Sequence, residues 1–393
     1  MTSPSTGNTS IHAPIHQPDP DPDRSYPHAM LREIWEQPRS LQNTLDYYLQ
    51  DGSFRAERFD DAQIALRDHN DVVIAASGSS RHAGLTAEIV MEDLARLAVD
   101  VEYASEYCLR STNTKRDPAV IVISQSGETA DTLAALREAK KRGHRTSAVT
   151  NVAGSTMARE ADASLPTMAG VEKAIPATKS FTAQLLVLHL LALYAAQERR
   201  AMHEPEVKVR LQKALELPAA IASQLASWES QIESLAPFYA GAKTFLFLGR
   251  GIHYAIAREG ALKLKESSYL HAEGYPAGEL KHGPNALVSP EVPLIVLATY
   301  DAADAESVLR YEKTVQLLVD MKQQGATVLA VINAGDDRVR SLVTHAIEVQ
   351  PVNEYLLPIV EVIPFQMLAY FIAVCNGVDV DRPRNLTKAV LAD

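Results

Sequence analysis

The sequence feature that most constrains the fold of this chain is a short apolar run that ends in a hydroxyl-rich turn. Residues 119–123 (AVIVI) predict a buried strand, and the pattern from about residue 131 to 142 predicts a helix. Between them lies Ser-Gln-Ser-Gly-Glu-Thr, at 124–129. Such a strand-to-helix turn offers free backbone N–H groups, hydroxyls and the helix dipole to an anion. Because no lysine follows the glycine as it does in P-loops, the turn predicts a phosphate monoester rather than a nucleoside triphosphate.

Strands and helices alternate along the chain in two similar blocks. Strands are predicted at 71–76, 100–103, 119–123 and 145–150, with helices at 82–97, 131–142 and 178–197. The pattern repeats about 170 residues later, with strands at 244–248, 293–297 and 327–333. This alternation predicts an α/β fold of two tandem, doubly wound parallel-sheet domains of the flavodoxin-like kind, each with three α-β-α layers.

The predicted organisation has five parts. They are a disordered tail at 1–27, an N-terminal domain with a leading helix at 28–202, a helical linker at 203–240, a C-terminal domain at 241–377 and a polar tail at 378–393. Pro38 is expected to break the leading helix.

Composition excludes several classes of function. A net charge of −11 argues against nucleic acid as a partner. The longest apolar stretch noted, 185–196, is interrupted by His189 and is too short to span a membrane, so no membrane is expected. Cys108 and Cys375 form neither a disulfide framework nor a metal-ligand spacing, and no signal peptide is evident. We therefore expect a cytoplasmic protein without a metal or other cofactor.

Two hydroxyl-bearing turns are predicted at one sheet edge. The turn at 77–80 (SGSS) follows one strand and the turn at 124–129 follows the next. In open α/β sheets ligands bind outside the carboxyl ends of the strands, so the two turns are expected to share one phosphate. The equivalent turn of the second block, 298–303 (ATYDAA), has few such donors. The phosphate is therefore predicted in the first half.

The second half brings charged side chains. Glu259, Lys263 and Glu266 lie at i, i+4 and i+7 on one helix face, which by itself is typical of a solvated row of ion pairs. The stretch 271–284 that follows is punctuated by glycine and proline and carries histidines, carboxylates and a lysine. Polar groups at this density on an irregular loop favour a functional site.

These motifs resemble the two sugar isomerase (SIS) domains that form the isomerase half of glucosamine-6-phosphate synthases. The likeness runs from residue 30 to the C-terminus. It rests on SQSGETADT at 124–132, ATKSFTAQ at 177–184, LGRG at 248–251, EGALKLKE at 259–266, AGELKHGP at 277–284 and PRNLTKAV at 383–390. No glutaminase-like segment precedes the match, so the likeness implies the sugar chemistry without glutaminase activity. SIS-type glucosamine-6-phosphate deaminases are related.

The resemblance also implies a role for particular residues. His282 would open the sugar ring, Lys388 would form an imine with the open-chain ketose, and Glu266 would carry a proton between C1 and C2. Lys263 would orient Glu266 or stabilise enediol-like charge. Thr178 and Glu259 would belong to the substrate site. The phosphate would be bound by Ser79, Ser80, Ser124, Gln125, Ser126 and Thr129.

The likeness implies a homodimer in which the histidine loop reaches the neighbouring subunit's site.

Three departures from the family pattern stand out. The turn at 77–80 reads Ser-Gly-Ser-Ser where Cys-Gly-Thr-Ser is common, Ala177 replaces a serine, and Thr387 replaces an alanine beside Lys388.

The implied reaction interconverts fructose 6-phosphate plus ammonia with glucosamine 6-phosphate. The sequence leaves open its direction and whether a separate partner supplies ammonia. An alternative from another class is a catalytically silent sugar-phosphate sensor. That alternative explains the phosphate turns equally well, but it does not require Glu266, His282 and Lys388 together.

Overall fold

A computed structural model describes residues 24–59, 66–110 and 116–388, which contain two five-stranded parallel sheets. The strands of the first sheet are β1 Asp71–Ala76, β2 Ala98–Tyr103, β3 Ala119–Ser124, β4 Thr146–Thr150 and β5 Ala163–Pro166. Those of the second are β6 Thr244–Gly249, β7 His271–Pro276, β8 Leu294–Ala298, β9 Val328–Asn333 and β10 His345–Val349. A small antiparallel hairpin pairs Leu49–Gln50 with Ser53–Phe54.

Both sheets have the same strand order. It is β2-β1-β3-β4-β5 in the first half and β7-β6-β8-β9-β10 in the second, and every neighbouring pair is parallel. This confirms the predicted tandem doubly wound fold of flavodoxin-like order. The order reverses between β1 and β3, so the turns after these two strands flank the crevice in which such sheets bind ligands.

Thirteen α-helices begin and end within the described residues. They are α1 Ala29–Trp35, α2 Gln37–Tyr48, α3 Gly78–Ala95, α4 Ala104–Tyr107, α5 Ala130–Lys141, α6 Thr156–Glu160, α7 Lys179–Glu198, α8 Glu204–Ala222, α9 Leu225–Tyr239, α10 His253–Ser268, α11 Ala305–Gln323, α12 Asp337–Arg340 and α13 Leu357–Cys375. Short 3₁₀ turns occupy Ala56–Arg58, Ala277–His282, Pro284–Leu287 and Glu354–Leu356.

Alternating strand residues divide the apolar side chains into layers. In β1, Val72 and Ile74 face a large central core, whereas Val73 and Ala75 face a smaller core beneath α5. The second sheet has its own outer core beneath α11. The central core is shared by both halves and contains side chains of α3, α7, α10 and α13. Helices on both faces of a parallel sheet bury both of its sides, which explains the continuous apolar strands.

The segments outside the sheets are also packed. The leading helix is interrupted as expected: α1 ends at Trp35, and Pro38 lies in the first turn of α2, where its missing N–H costs nothing. The predicted linker contains α8, which packs on α2, and α9, which packs on α13. Of the predicted N-terminal tail, residues 1–23 lie outside the described residues. Arg24 pairs with Glu229 of α9 at 2.5 Å.

Two helices are longer and more apolar than the sequence suggested. Lys179–Glu198 and Glu354–Cys375, 20 and 22 residues long, have the length and hydropathy of a membrane span. The expectation that no segment reaches that length was therefore wrong, because the helix continues on both sides of the stretch 185–196. In each helix 94% of the apolar window is buried inside the protein, as in core helices generally, so their composition is weak evidence for a membrane.

Candidate functional site

The turn after β3 forms a ring of donors at the start of α5. Ser124 Oγ lies 2.9 Å from Thr129 Oγ1 and accepts from the backbone N–H of Gly127 at 3.2 Å. Ser126 Oγ accepts from the N–H of Glu128 at 3.2 Å. Thr129 is the N-cap residue of α5, and its side chain makes no cap hydrogen bond. Hydroxyls and a helix N-terminus are thus gathered at one point, as an anion site requires.

Glycine is required in the middle of this turn. Gly127 has a φ of +66°, and a Cβ there would lie 2.1 Å from Ser155 Oγ and 2.8 Å from Thr150 Oγ1. The carbonyl of the neighbouring Gln125 accepts from Asn151 N at 3.1 Å, which ties the turn to the end of β4. The turn is therefore held by its own backbone, and the partly exposed Gln125 side chain lies at its rim.

The turn after β1 connects the two halves of the protein. α3 begins at Gly78, so the predicted helix start at residue 82 was four residues late, and Ser79 and Ser80 lie in its first turn. Ser79 Oγ donates to Glu259 Oε1 at 2.8 Å. His82 Nδ1 lies 2.7 Å from Glu259 Oε2. A carboxylate on α10 of the second half therefore contacts one of the predicted phosphate-binding serines.

The charged row on α10 is buried rather than solvated. Glu259 and Lys263 are fully buried, and Lys263 Nζ lies 2.5 Å from Glu266 Oε2 and 3.5 Å from Glu259 Oε1. Burial alone would lower the pKa of Lys263, but the carboxylates of Glu266 and Glu259 outweigh it and raise that pKa. Burial opposes the ionisation of Glu259, yet Lys263 and His82 hold the pKa of Glu259 below its ordinary value. Both groups are therefore charged at neutral pH.

Lys388 is held by a segment that the sequence did not single out. Its Nζ lies 2.6 Å from Glu172 Oε2 and 2.6 Å from the carbonyl oxygen of Ala174. Glu172 also accepts from Ser180 Oγ at 2.7 Å and from Thr178 N at 2.9 Å. Burial would raise the pKa of Glu172, but the Lys388 charge and these hydrogen bonds lower it. The lysine is thus paired with an ionised carboxylate.

Thr178 donates hydrogen bonds to Glu172 in this structure. Thr178 is fully buried, and its backbone N–H and hydroxyl both point at Glu172 Oε1, the hydroxyl at 3.5 Å. Sequence reasoning missed Glu172 and Ser180. The available signal was a lone acidic residue just before the ATKSFTAQ motif.

His282 is not joined to the other candidate residues within one chain. It is exposed at the end of the 3₁₀ turn Ala277–His282, next to Gly283, which has a φ of +142°. In the three described ranges, no hydrogen bond or ion pair links His282 to Glu266 or Lys388. In the same ranges, no group of three His, Cys, Asp or Glu side chains is arranged to bind a metal ion.

The charged side chains of α10 form one continuous series of contacts between the two halves of the protein. The contacts run from Ser79 through Glu259 and Lys263 to Glu266. The charge of Glu172, which pairs with Lys388, also contributes to the raised pKa of Lys263. Glu172 therefore interacts electrostatically with both lysines. This arrangement places a carboxylate next to a buried ammonium group and links both to a serine that is predicted to bind phosphate.

A family model agrees with this geometry. The model described as "SIS domain" matches residues 65–194 and 238–375, which together are more than half of the chain. The chain belongs to the SIS-domain family. Each match covers one of the two parallel sheets, so the chain is a double SIS protein.

Curated relatives and solved structures agree. The chain is 44% identical over 376 residues to the glutamine–fructose-6-phosphate aminotransferase (isomerizing) of Bradyrhizobium diazoefficiens, and 40% identical over 370 residues to that of Chlorobaculum tepidum. These matches cover 94% of this chain but only 60% and 59% of the relatives, so the chain spans about three fifths of their length.

Among solved structures, the C-terminal domain of the Francisella tularensis glucosamine-fructose-6-phosphate aminotransferase is similar, with a TM-score of 0.85 and 34% identity over 91% of this chain and 99% of that one. The Thermotoga maritima glucosamine-6-phosphate deaminase shares the fold, with a TM-score of 0.69 at 23% identity over 93% of this chain and 100% of the other. The chain is therefore a double SIS protein related to the isomerase domain of the aminotransferases.

Proposed function

We propose that this SIS protein interconverts fructose 6-phosphate plus ammonia with glucosamine 6-phosphate. The observation that carries the proposal is the series of contacts from Ser79 through Glu259 and Lys263 to Glu266. It joins the turn at 77–80, one of the two turns predicted to bind phosphate, to a carboxylate that has a buried ammonium group for a partner. A bound sugar 6-phosphate would thus have an acid–base group within the same site.

Phosphate binding is the first step of the proposal. The hydroxyls of Ser79, Ser80, Ser124, Ser126 and Thr129, the side chain of Gln125 and the N-terminus of α5 would bind the phosphate. Because Ser79 now donates to Glu259, binding would redirect that hydroxyl toward the ligand. His282, from the neighbouring subunit of a homodimer, would then assist ring opening. Its exposure and its separation from the other residues of its own chain support that assignment.

Lys388 and Glu266 carry out the chemistry in this proposal. The Lys388 amine attacks the C2 carbonyl of open-chain fructose 6-phosphate, and water leaves as the imine forms. Ammonia then displaces the lysine, and Glu266 moves a proton from C1 to C2 to give glucosamine 6-phosphate. Deamination is the reverse sequence. Glu172 lies 2.6 Å from the Lys388 amine and would hold it in place beside the open-chain sugar. Lys263 would stabilise the negative charge that develops on the enediol-like intermediate.

A turnover assay tests the proposal. Purified protein given glucosamine 6-phosphate should release fructose 6-phosphate and ammonia, and the reverse reaction should run with ammonium in excess. Lys388→Ala should abolish both, while Lys322→Ala, which removes an exposed lysine on α11, should not. Tight binding of the sugar phosphate without turnover in either direction would instead favour a silent sensor. We also propose a cytoplasmic location, supported by the two free cysteines, Cys108 and Cys375.

A further inference from the structure

Three segments that are distant in sequence meet beside Lys388. They are the leading helix α1, the segment 172–175 and the C-terminal tail. The α1 residue Glu33 is fully buried, and its carboxylate accepts from Lys173 N at 2.5 Å and from Ala174 N at 3.2 Å. The leading helix therefore binds the backbone of the same segment that binds the lysine.

The tail is attached to this junction at a second point. The Asp381 carboxylate accepts from the N–H groups of Ala29 and Met30, both at 2.8 Å, at the start of α1. The Asp381 carbonyl accepts from Ile175 N at 3.2 Å. Seven residues later, Lys388 reaches Glu172 and the Ala174 carbonyl. Helix, segment and tail are thus linked in a closed cycle of hydrogen bonds.

We propose that Glu33 is a positioning residue for Lys388 and acts through the segment 172–174. Its carboxylate fixes two backbone N–H groups of that segment, and the segment fixes the lysine amine through Glu172 and the Ala174 carbonyl. The inference that this lysine must be placed for catalysis rests on the proposed function. The positioning itself does not, because it is a property of the protein without substrate.

Glu33 lies on the leading helix α1, before the first of the two family-matched ranges. Both family-matched ranges, 65–194 and 238–375, exclude α1 and the tail, so Glu33 and Lys388 lie outside the matched ranges, whereas the segment that joins them lies inside the first. Groups of the segment 172–175, of α7 and of the C-terminal tail act on Glu33. Burial and the charge of Glu172 raise its pKa to about 7, against the opposing effects of the Lys173 N–H, Lys179 and Lys388. Arg32 on its own helix lies 3.9 Å away.

Labelling of the amine of Lys388 tests the positioning directly. The ligand-free protein is treated with an amine-acetylating reagent, and the rate at each lysine is followed by peptide mass spectrometry. Glu33→Leu leaves the two N–H groups without their acceptor and should speed labelling of Lys388 at least threefold. Glu33→Gln keeps an acceptor oxygen and should restore most of the protection. The control Glu229→Gln loosens a different contact of the leading segment, to Arg24 and Trp35, and should leave the rate unchanged.

A second measurement separates positioning from general damage. In Glu33→Leu the buried Lys263 should stay unlabelled and the affinity for fructose 6-phosphate should change less than twofold, while kcat falls roughly tenfold to a hundredfold. The inference would be overturned if Lys388 of Glu33→Leu were labelled at the wild-type rate. It would also be overturned if Lys263 of that variant were labelled as fast as Lys388. If the labelling result holds but the wild type turns nothing over, the proposed function fails and the positioning stands.

Discussion

The buried carboxyl group of Glu33 makes the stability of this protein depend on pH. Burial and the nearby Glu172 raise the pKa of Glu33 from its ordinary 4.5 to about 7. Its contribution to stability is therefore complete below pH 4.5 and is lost as the pH rises through 7. A pKa difference of this size is worth about 3.4 kcal/mol once the group is fully ionised in both states.

Glu33→Gln removes this dependence. Between pH 5 and pH 8 the wild type should lose about 2.5 kcal/mol of unfolding free energy relative to the variant, since part of the ionisation has already occurred in the unfolded chain at pH 5. The assay is urea unfolding at pH 5, 6, 7 and 8, followed by tryptophan fluorescence. Trp35 lies on α1 and Trp228 on α9, next to Glu229, which Trp35 contacts, so both tryptophans report on this region.

Glu106→Gln, at an exposed position, serves as the control. Its unfolding free energy should change with pH in the same way as that of the wild type. Wild-type and Glu33→Gln stabilities that stay parallel from pH 5 to 8 would refute the reasoning. So would a wild type that gains stability relative to the variant as the pH rises.

Three further predictions concern other parts of the molecule. Gly127→Ala should weaken sugar-phosphate binding at least tenfold by equilibrium dialysis, because the new methyl group meets Ser155 and the positive φ costs about 1–2 kcal/mol. Lys263→Met should abolish turnover and lower the unfolding free energy by about 3–5 kcal/mol in urea, since it strands buried carboxylates. Burial lowers the pKa of His253, but Glu361 and Glu354 together outweigh burial and raise that pKa to about 10. His253→Gln should therefore destabilise the protein most at neutral pH and progressively less toward pH 10, as measured by unfolding at pH 7 to 10.

The sheets were predictable because their signals are local. Apolar runs such as 119–123, bounded by turn residues, identify strands, and their repetition about 170 residues later reveals the second half. The turn at 124–129 was likewise readable, since Gly127 and its hydroxyl neighbours are contiguous. The start of α3 was placed late because glycine and serines at 78–80 are typical of a turn, whereas here they form the first turn of the helix.

The charged centre was only partly predictable. The helical spacing placed Glu259, Lys263 and Glu266 on one face, but spacing is the same for an exposed row and a buried one. Glu172 and Glu33 were missed because their roles depend on partners more than a hundred residues away in sequence. Burial and long-range pairing are tertiary properties that a local pattern does not contain.

Trapping the imine tests the central claim most directly. Wild-type protein is incubated with fructose 6-phosphate, reduced with sodium borohydride, digested and examined by mass spectrometry. The account predicts one sugar-phosphate adduct on the peptide that carries Lys388, lost when Ser124 and Ser126 are both changed to alanine. Absence of any adduct, or an adduct on Lys263 or another lysine in place of Lys388, would contradict it.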